Sequence, residues 1–282
     1  MEKEIKEIKV NSLGDFITKV TPKKPDPKSG RLRASVIFRG LSNADWKLLS
    51  SLDRLGCPHT EPHSKAHLEE HLLRNFIRYA RPYLELYPEN EWEWMVIAQH
   101  RGLPTRLLDW TYSPLSAAHF AVLADNSNTD RVVWELNWEI VHKHFDITPI
   151  VLNLHDLDKE LQKRGFSGLW SLVKYSHTKE EPFVCVVEPS ALDRRLVAQS
   201  AAFILTSSKK YALDDILRKN NLNHAIKKYI IPADKVEYIR DQLDMCSINE
   251  RRLFPDLEGV ASELKRYYAA SSKLDNNKNL RR

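Results

Sequence analysis

Two short stretches of the chain place charged side chains among apolar neighbours, where they can carry chemistry. Arg39 follows the apolar run Val36-Ile37-Phe38 and precedes Gly40, so we expect it at the end of a buried strand that closes in a turn. An arginine at such a position is costly to bury unless it is paired or used. The second stretch runs from Ala98 to Thr111 and includes Gln99, His100, Arg106 and Asp109.

Each stretch also has a structural interpretation. Arg39 can form a salt bridge at the edge of a sheet, and Arg106 and Asp109 can hold their own loop together. Polar groups on a strand that leads into a helix N-terminus also make a pocket suited to an anion. Ser113-Pro114 has the form of an N-cap followed by proline at the first helical position. The residues alone leave both interpretations open.

Runs of β-branched and aromatic residues predict the strands that position these groups. We expect strands at Ala34–Phe38, Thr105–Trp110, Arg131–Leu136, Phe183–Glu188, Ala202–Thr206 and Lys228–Ile231. Apolar residues at helical spacing predict helices at His67–Tyr79, Trp92–Gln99, Leu115–Ala124, Asp156–Arg164, Leu213–Asn220 and Asp234–Met245. Because strands and helices follow in mixed order, the fold class is α+β, with a mixed, partly antiparallel sheet flanked by helices. The first, second, fourth and fifth strands are expected to share one sheet region, with Arg39 and Asp109 facing a common cleft.

The chain divides into a basic N-terminal segment, one domain and a polar tail. Residues 1–33 are lysine-rich and partly helical, with at best a short helix in Glu2–Val20 before a proline-rich loop. Residues 34–270 form the domain, and residues 271–282 are a polar tail that we expect to fray. With no apolar run long enough for a membrane helix, no secretory signal and three cysteines at non-framework spacings, we expect a cytoplasmic protein without membrane contact.

Several common functional motifs are missing from the sequence. Its eight glycines form no GxGxxG, no GxxxxGK[ST] and no GxSxG, so nucleotide binding would use neither a Rossmann nor a P-loop cradle. His67 and His71 have the i, i+4 spacing of metal ligands but lack the glutamate of the zincin motif, so a solvated helix face is favoured and no metal is predicted. The formal charge of +5 comes from 43 cations interleaved with 38 anions, which allows nucleic-acid binding without indicating it.

Four motifs taken in order resemble those of the FRG-domain family. They are Ile37–Gly40, Ser42–Leu48, Gln99–Trp110 and Leu253–Leu257. The resemblance spans roughly Ser35 to Leu264, and the motif from Gln99 to Trp110 is long enough to be highly specific. It implies a domain found in prokaryotic and phage proteins, some of them linked to toxin or defence contexts.

A second, weaker resemblance is to ADP-ribosyltransferases of the arginine-serine-glutamate type. It implies that Arg39 grips the phosphates of a dinucleotide, that Leu107–Thr111 followed by Ser113–Ala124 is the second strand with its helix, and that Gln199 stands where those enzymes carry glutamate. NAD would then be a substrate and no cofactor would be tightly bound. Since glutamine cannot act as a carboxylate, Asp109 is the candidate for the missing anion. The predicted catalytic residues are Arg39, Asp109 and Gln199, and the predicted ligand-binding residues are Phe38, Gly40, Gln99, His100, Thr105, Arg106, Trp110, Thr111 and Tyr112.

Three functional hypotheses remain open at this point. The first is an ADP-ribosyltransferase-like enzyme, with Trp110 or Tyr112 stacking on a ring of the ligand. The second is a catalytically silent module on the same scaffold, which would bind a nucleotide or a protein partner. The third is a nucleic-acid-directed effector that uses tryptophans among Trp46, Trp92, Trp94 and Trp170. It ranks last because the seven tryptophans are equally well explained by packing.

Overall fold

A computed structural model describes residues 4–27, 29–55, 62–84, 87–124, 128–175, 182–191, 193–207 and 211–269. The predicted polar tail, residues 271–282, lies outside these ranges. Within them, no helix combines the length and the apolar character that crossing a membrane requires.

The described strands form one seven-stranded sheet. They are β1 (Lys6–Lys9), β2 (Val36–Leu41), β3 (Leu107–Thr111), β4 (Arg131–Asn137), β5 (Val184–Val187), β6 (Ala201–Thr206) and β7 (Ile226–Ile231). Their order across the sheet is β1-β7-β4-β2-β3-β6-β5. Strands β1 and β7 run parallel, and the other neighbouring strands run antiparallel. The predicted α+β class with a mixed, partly antiparallel sheet is confirmed, and the four strands expected to share one region are the consecutive neighbours β2, β3, β6 and β5.

Helices cover both faces of the sheet. They are α1 (Leu13–Val20), α2 (Ser51–Arg54), α3 (Pro62–Ala80), α4 (Glu91–His100), α5 (Pro114–Val122), α6 (Trp138–His144), α7 (Leu154–Lys163), α8 (Leu169–Tyr175), α9 (Arg194–Ala198), α10 (Leu213–Lys219), α11 (Val236–Met245), α12 (Glu250–Leu253) and α13 (Leu257–Tyr267). Helix α5 begins as predicted, because the Ser113 hydroxyl accepts a hydrogen bond from the Ser116 amide at 3.1 Å and Pro114 occupies the first turn.

Three apolar clusters fill the space between sheet and helices. One joins α1, α5 and α11 to β2, β4 and β7, and a second joins α3, α4, α7 and α8 to β3, β5 and β6. The third lies where Ile37, Leu108, Trp134 and Ile204 meet α6 and α10. Since successive residues of a strand point to opposite faces, the first two clusters share one face of the sheet and the third lies on the other.

The N-terminal prediction was wrong for its first half. Lys6–Lys9 is a strand that pairs with β7, and only Leu13–Val20 is helical. The strand is continued by Val10, which is fully buried and whose amide donates to the carbonyl of Ile230 at 2.7 Å. This strand is short and three of its four residues are charged, so it lacks the apolar alternation by which a strand is recognised.

The predicted end of β2 was also wrong, because the strand continues through Arg39 and Gly40 to Leu41. Gly40 pairs with Val133 and Leu41 pairs with Val132, so Arg39 lies inside the strand and Gly40 is not a turn residue. A Cβ on Gly40 would lie 1.9 Å from the carbonyl oxygen of Ala117. The glycine is therefore needed because α5 packs directly on the strand.

Candidate functional site

The sheet separates between β2 and β3. These two strands pair at one residue pair, Phe38 with Thr111, whereas β2 pairs with β4 along its whole length and β3 does the same with β6. Beyond Phe38 the two strands therefore diverge. The backbone of Asp109 faces the resulting gap without a partner from β2, and the side chain of Arg39 enters this gap from the neighbouring strand.

Arg39 is held in the gap by Asp109. Its Nη1 donates a hydrogen bond to the backbone carbonyl of Asp109 and lies 3.7 Å from the Oδ2 atom of the same residue, which is too long for a direct hydrogen bond. The arginine side chain is 12% exposed, and its Nε is buried without a partner among the described residues. Burial lowers the pKa of Arg39 from its ordinary value. The guanidinium is therefore a buried cation whose hydrogen-bonding capacity is only partly used.

The carboxylate of Asp109 is exposed to the gap and fixed in orientation. Its side chain is 61% exposed, and Gln99 Nε2 donates to both of its oxygens at 3.0 Å. The Oε1 atom of Gln99 accepts in turn from the Thr105 hydroxyl at 2.5 Å. These contacts link Asp109 on β3 to Gln99 on α4. They restrict the rotation of the carboxylate and leave it accessible.

The gap opens into a cleft of about 330 Å³, within the usual size range of small-molecule sites. Nine of the predicted site residues line it: Phe38, Arg39, Gly40, Gln99, His100, Asp109, Trp110, Thr111 and Gln199. The sequence therefore predicted correctly that Arg39 and Asp109 face one cleft.

Three predicted ligand-binding residues lie outside the cleft lining. Arg106 donates from Nε and Nη2 to the two carboxylate oxygens of Glu69 at 2.8 and 2.6 Å, and both side chains are 2% exposed. The Tyr112 hydroxyl donates a hydrogen bond to Oε1 of Glu188 at 2.6 Å, and the Thr105 hydroxyl donates one to Oε1 of Gln99. These three side chains are occupied by contacts within the protein.

Gln199 connects the cleft to the C-terminal helices. Its carbonyl accepts a hydrogen bond from the Thr111 hydroxyl at 2.6 Å, and its Nε2 donates to the carbonyl of Leu253 at 3.0 Å. Gln199 follows α9 and precedes β6. Its side-chain nitrogen is used to hold α12.

His100 lines the cleft beside a carboxylate. Its Nε2 lies 3.3 Å from Oδ2 of Asp193, and its side chain is largely buried. Burial lowers the pKa of His100, and the nearby Asp193 only partly opposes this effect. The imidazole is therefore neutral at pH 7.

The structure adds lining residues that the sequence did not indicate as site residues. They are Leu41, Ser42, Trp46, Phe120, Arg195, Leu196, Ala201 and Phe203. Trp46 is 53% exposed, and Arg195 stacks on the ring of Phe254 at 4.3 Å from its centroid. The motif Ser42–Leu48 could have pointed to Trp46, whereas no local pattern distinguishes Arg195 from the adjacent Arg194.

The tryptophans considered for nucleic-acid stacking do not form one surface. Trp92 and Trp94 are buried in the cluster beneath α3, so neither can stack on a base. Trp46 at the cleft is the exposed member of the set.

Residues 34–131 match the FRG domain family. The matched part is about a third of the 282-residue chain and carries Arg39, Gln99 and Asp109. Arg195, Gln199 and Phe254 lie C-terminal to it. Searches of curated proteins and of solved structures return no significant match.

Proposed function

We propose that the cleft binds the phosphates of a nucleotide through Arg39, and that NAD is the ligand. The observation that carries this proposal is the arginine itself. Its buried guanidinium makes one hydrogen bond, to a backbone carbonyl, lies 3.7 Å from the exposed carboxylate of Asp109, and has an Nε without a partner among the described residues. Burying a cation with so few partners costs free energy. A phosphate supplies the missing acceptors, since its oxygens match the fork of a guanidinium.

The charges around the cleft favour an anionic ligand. Among the described residues that line it, Arg39 and Arg195 are cations, and Asp109 is the single carboxylate. The low dielectric of a partly enclosed site strengthens the attraction between such cations and a phosphate.

Two further groups suit the remaining parts of a dinucleotide. Trp46 offers an exposed indole ring at the cleft, on which a base can stack. Asp109 offers a carboxylate that Gln99 holds in place, which can accept hydrogen bonds from ribose hydroxyls. Phosphate, base and ribose are then each matched by a different residue.

The reaction that fits this ligand is ADP-ribosyl transfer. The glycosidic bond between nicotinamide and C1′ of its ribose breaks, nicotinamide leaves with the bonding electrons, and an acceptor nucleophile forms a new bond to C1′ and releases its proton. The developing ribosyl cation needs a nearby anion, and Asp109 is the carboxylate available in the cleft. An effector role in a prokaryotic toxin or defence system would follow from such a transfer.

A catalytically silent sensor is the second candidate, and one observation favours it. The resemblance to ADP-ribosyltransferases assigns Gln199 to the position of their glutamate, and its amide nitrogen donates to the carbonyl of Leu253. A sensor would bind the same nucleotide through Arg39 without breaking the glycosidic bond.

Titration of the purified full chain with NAD, followed by intrinsic tryptophan fluorescence, tests the proposal. Trp110 lines the cleft and Trp46 is exposed beside it, so binding is expected to change the emission. Arg39→Ala is expected to remove this change, while Arg101→Ala, a matched loss of charge on an exposed side chain, retains it. An unchanged emission at millimolar NAD contradicts the proposed ligand. Incubation with radiolabelled NAD then separates the two candidates, because only the enzyme transfers label to an acceptor.

A further inference from the structure

Unlike Arg39, the second arginine of the cleft has no carboxylate partner among the described residues. Arg195 lies on α9, and its guanidinium carbon is 4.3 Å from the centre of the Phe254 ring. It forms no ion pair within 4.0 Å in the part of the chain that the structure describes, and its Nε is buried without a hydrogen-bond partner. The side chain is thus held by one flat face, while its hydrogen-bonding edge remains unused.

The neighbouring carboxylate that could have paired with Arg195 is taken by other groups. Asp193 caps α9 by accepting from the Arg195 backbone amide at 2.8 Å. Its Oδ2 atom also lies 3.3 Å from His100 Nε2 and 3.2 Å from Arg101 Nη2. Burial lowers the pKa of Arg195 although Asp256, Asp193, Asp109 and Glu258 all act to raise it. The guanidinium is therefore desolvated without a direct anionic partner.

Phe254 itself is fixed by the C-terminal helices. Its ring packs edge-on against Phe120 with 6.0 Å between centroids. The preceding helix α12 is tied to α13 by Arg266, whose Nε donates to Glu250 at 2.6 Å, and to the cleft by the hydrogen bond from Gln199 to Leu253. The stacking partner of Arg195 is thus positioned by well-anchored elements, so the guanidinium is preorganised rather than free to swing into solvent.

We propose that Arg195 is a second oxyanion-binding residue of the cleft, so that the ligand is a diphosphate with one phosphate at Arg39 and the other at Arg195. This inference rests on the proposed nucleotide function and assigns the second phosphate of its ligand to a particular residue, Arg195. Phosphate at Arg195 gains charge-assisted hydrogen bonds from an edge that has no partner among the described residues. A ligand with a single phosphate engages Arg39 and gains nothing from Arg195.

Calorimetric titration of the full chain with inorganic pyrophosphate and, separately, with inorganic phosphate tests this assignment. Wild-type protein is expected to bind pyrophosphate more tightly than phosphate. Arg195→Ala is expected to weaken pyrophosphate binding by about 10- to 100-fold, the range for losing a hydrogen bond to a charged group, and to leave phosphate binding within twofold. Arg194→Ala removes the same charge from the exposed neighbour on α9 and is expected to change neither affinity.

Two further variants keep the test decisive if Arg195→Ala lowers the melting temperature. Arg195→Lys retains the charge without the fork and is expected to recover only part of the pyrophosphate affinity. Phe254→Leu retains apolar contact without the ring and is expected to weaken pyrophosphate binding by a smaller factor than Arg195→Ala.

The outcomes distinguish this inference from the proposed function. If Arg39→Ala weakens both anions while Arg195→Ala weakens neither, or weakens both equally, the nucleotide function stands and the second phosphate position is refuted. If wild-type protein binds neither anion, the proposed function fails and the inference fails with it.

Discussion

Arg106 and Arg39 both lie close to β3, yet their guanidinium groups have different partners and different surroundings. Arg106, just before β3, makes two short hydrogen bonds to Glu69 and is sealed in the interior. Arg39, across the gap between β2 and β3, makes one hydrogen bond to a backbone carbonyl and faces a cleft. Both arginines are largely buried, so burial alone does not separate a structural cation from a functional one. Each also has one buried nitrogen without a partner among the described residues, Nε in Arg39 and Nη1 in Arg106. The difference is that Arg106 is paired with a carboxylate by two hydrogen bonds, whereas the one hydrogen bond of Arg39 goes to a backbone carbonyl and its side chain lines a cleft.

The two situations have different energetic consequences. A buried ion pair is strongly destabilising to break, because removing one partner leaves the other charge uncompensated. A cation that the fold leaves partly unsatisfied contributes little to stability, and its removal mainly affects what it binds. The comparison therefore predicts that stability is lost at Arg106 and that binding is lost at Arg39.

The largest expected effect is on stability at the Arg106–Glu69 pair. Arg106→Ala is expected to lower the free energy of unfolding by about 3–5 kcal/mol because Glu69 remains buried and charged. Urea denaturation at pH 7 measures this loss. The double variant Arg106→Leu with Glu69→Leu is the control, since removing both charges is expected to recover most of the stability. Exposed ion pairs contribute less than about 1 kcal/mol. A loss in that range would show that this buried pair contributes no more to stability than an exposed one, which would contradict the prediction.

The next effect concerns turnover and depends on Asp109. If the protein is a transferase, Asp109→Asn is expected to raise the activation free energy by about 2.7–4 kcal/mol, because the amide cannot stabilise a developing cation by charge. The rate of label transfer from radiolabelled NAD measures this, and NAD affinity is expected to change much less. Label transfer that is unaffected by Asp109→Asn would refute the role of Asp109, whereas absence of label in wild-type protein would favour the sensor.

Arg39→Ala is expected to weaken NAD binding by about 1.5–3 kcal/mol, the range for hydrogen bonds to a charged group. Its effect on the free energy of unfolding is expected to stay below about 1.5 kcal/mol, since one ordinary hydrogen bond is lost. Arg39→Lys should restore little binding because a lysine lacks the fork. A variant that melts far below wild type yet still binds NAD would reverse the comparison and make Arg39 the structural residue.

The smallest expected effect is on the pH dependence of the free energy of unfolding, to which a histidine of the core and a histidine of the cleft contribute differently. His142 accepts a hydrogen bond from the Val186 amide at 2.8 Å, so its Nε2 must be unprotonated, and burial lowers its pKa. The folded-state pKa lies below the unfolded value of about 6.5, so the contribution of His142 is complete above pH 6.5 and is lost as the pH falls through its folded pKa. The loss is at most about 1.4 kcal/mol per pH unit.

Urea denaturation between pH 7.5 and pH 5 measures this dependence. His142→Gln, which can still accept a hydrogen bond, is expected to flatten the decline. His100→Gln in the cleft is expected to flatten it less, because Asp193 beside the ring partly opposes the effect of burial on the pKa of His100. Equal effects of the two variants would remove this distinction between core and cleft.

The sequence predicted six of the seven described strands and about half of the described helices, because their apolar residues recur at clear spacing. It also predicted that Arg39 and Asp109 face one cleft, because both follow apolar runs. It misplaced the end of β2 because Gly40 was interpreted as a turn residue, whereas the glycine makes room for α5. Arg195 and its stack on Phe254 could not be predicted, because their contact joins distant parts of the chain. Phe254 lies in the motif Leu253–Leu257, but no local pattern pairs it with Arg195. The roles predicted for the cleft residues stay predictions.

Thermal denaturation of wild-type protein, Arg39→Ala and Arg106→Ala, each with and without millimolar NAD, tests the central claim most directly. The account predicts that NAD raises the melting temperature of wild type, that Arg39→Ala melts near wild type but does not respond to NAD, and that Arg106→Ala melts well below wild type and still responds. Loss of the NAD response in Arg106→Ala together with its retention in Arg39→Ala would contradict it.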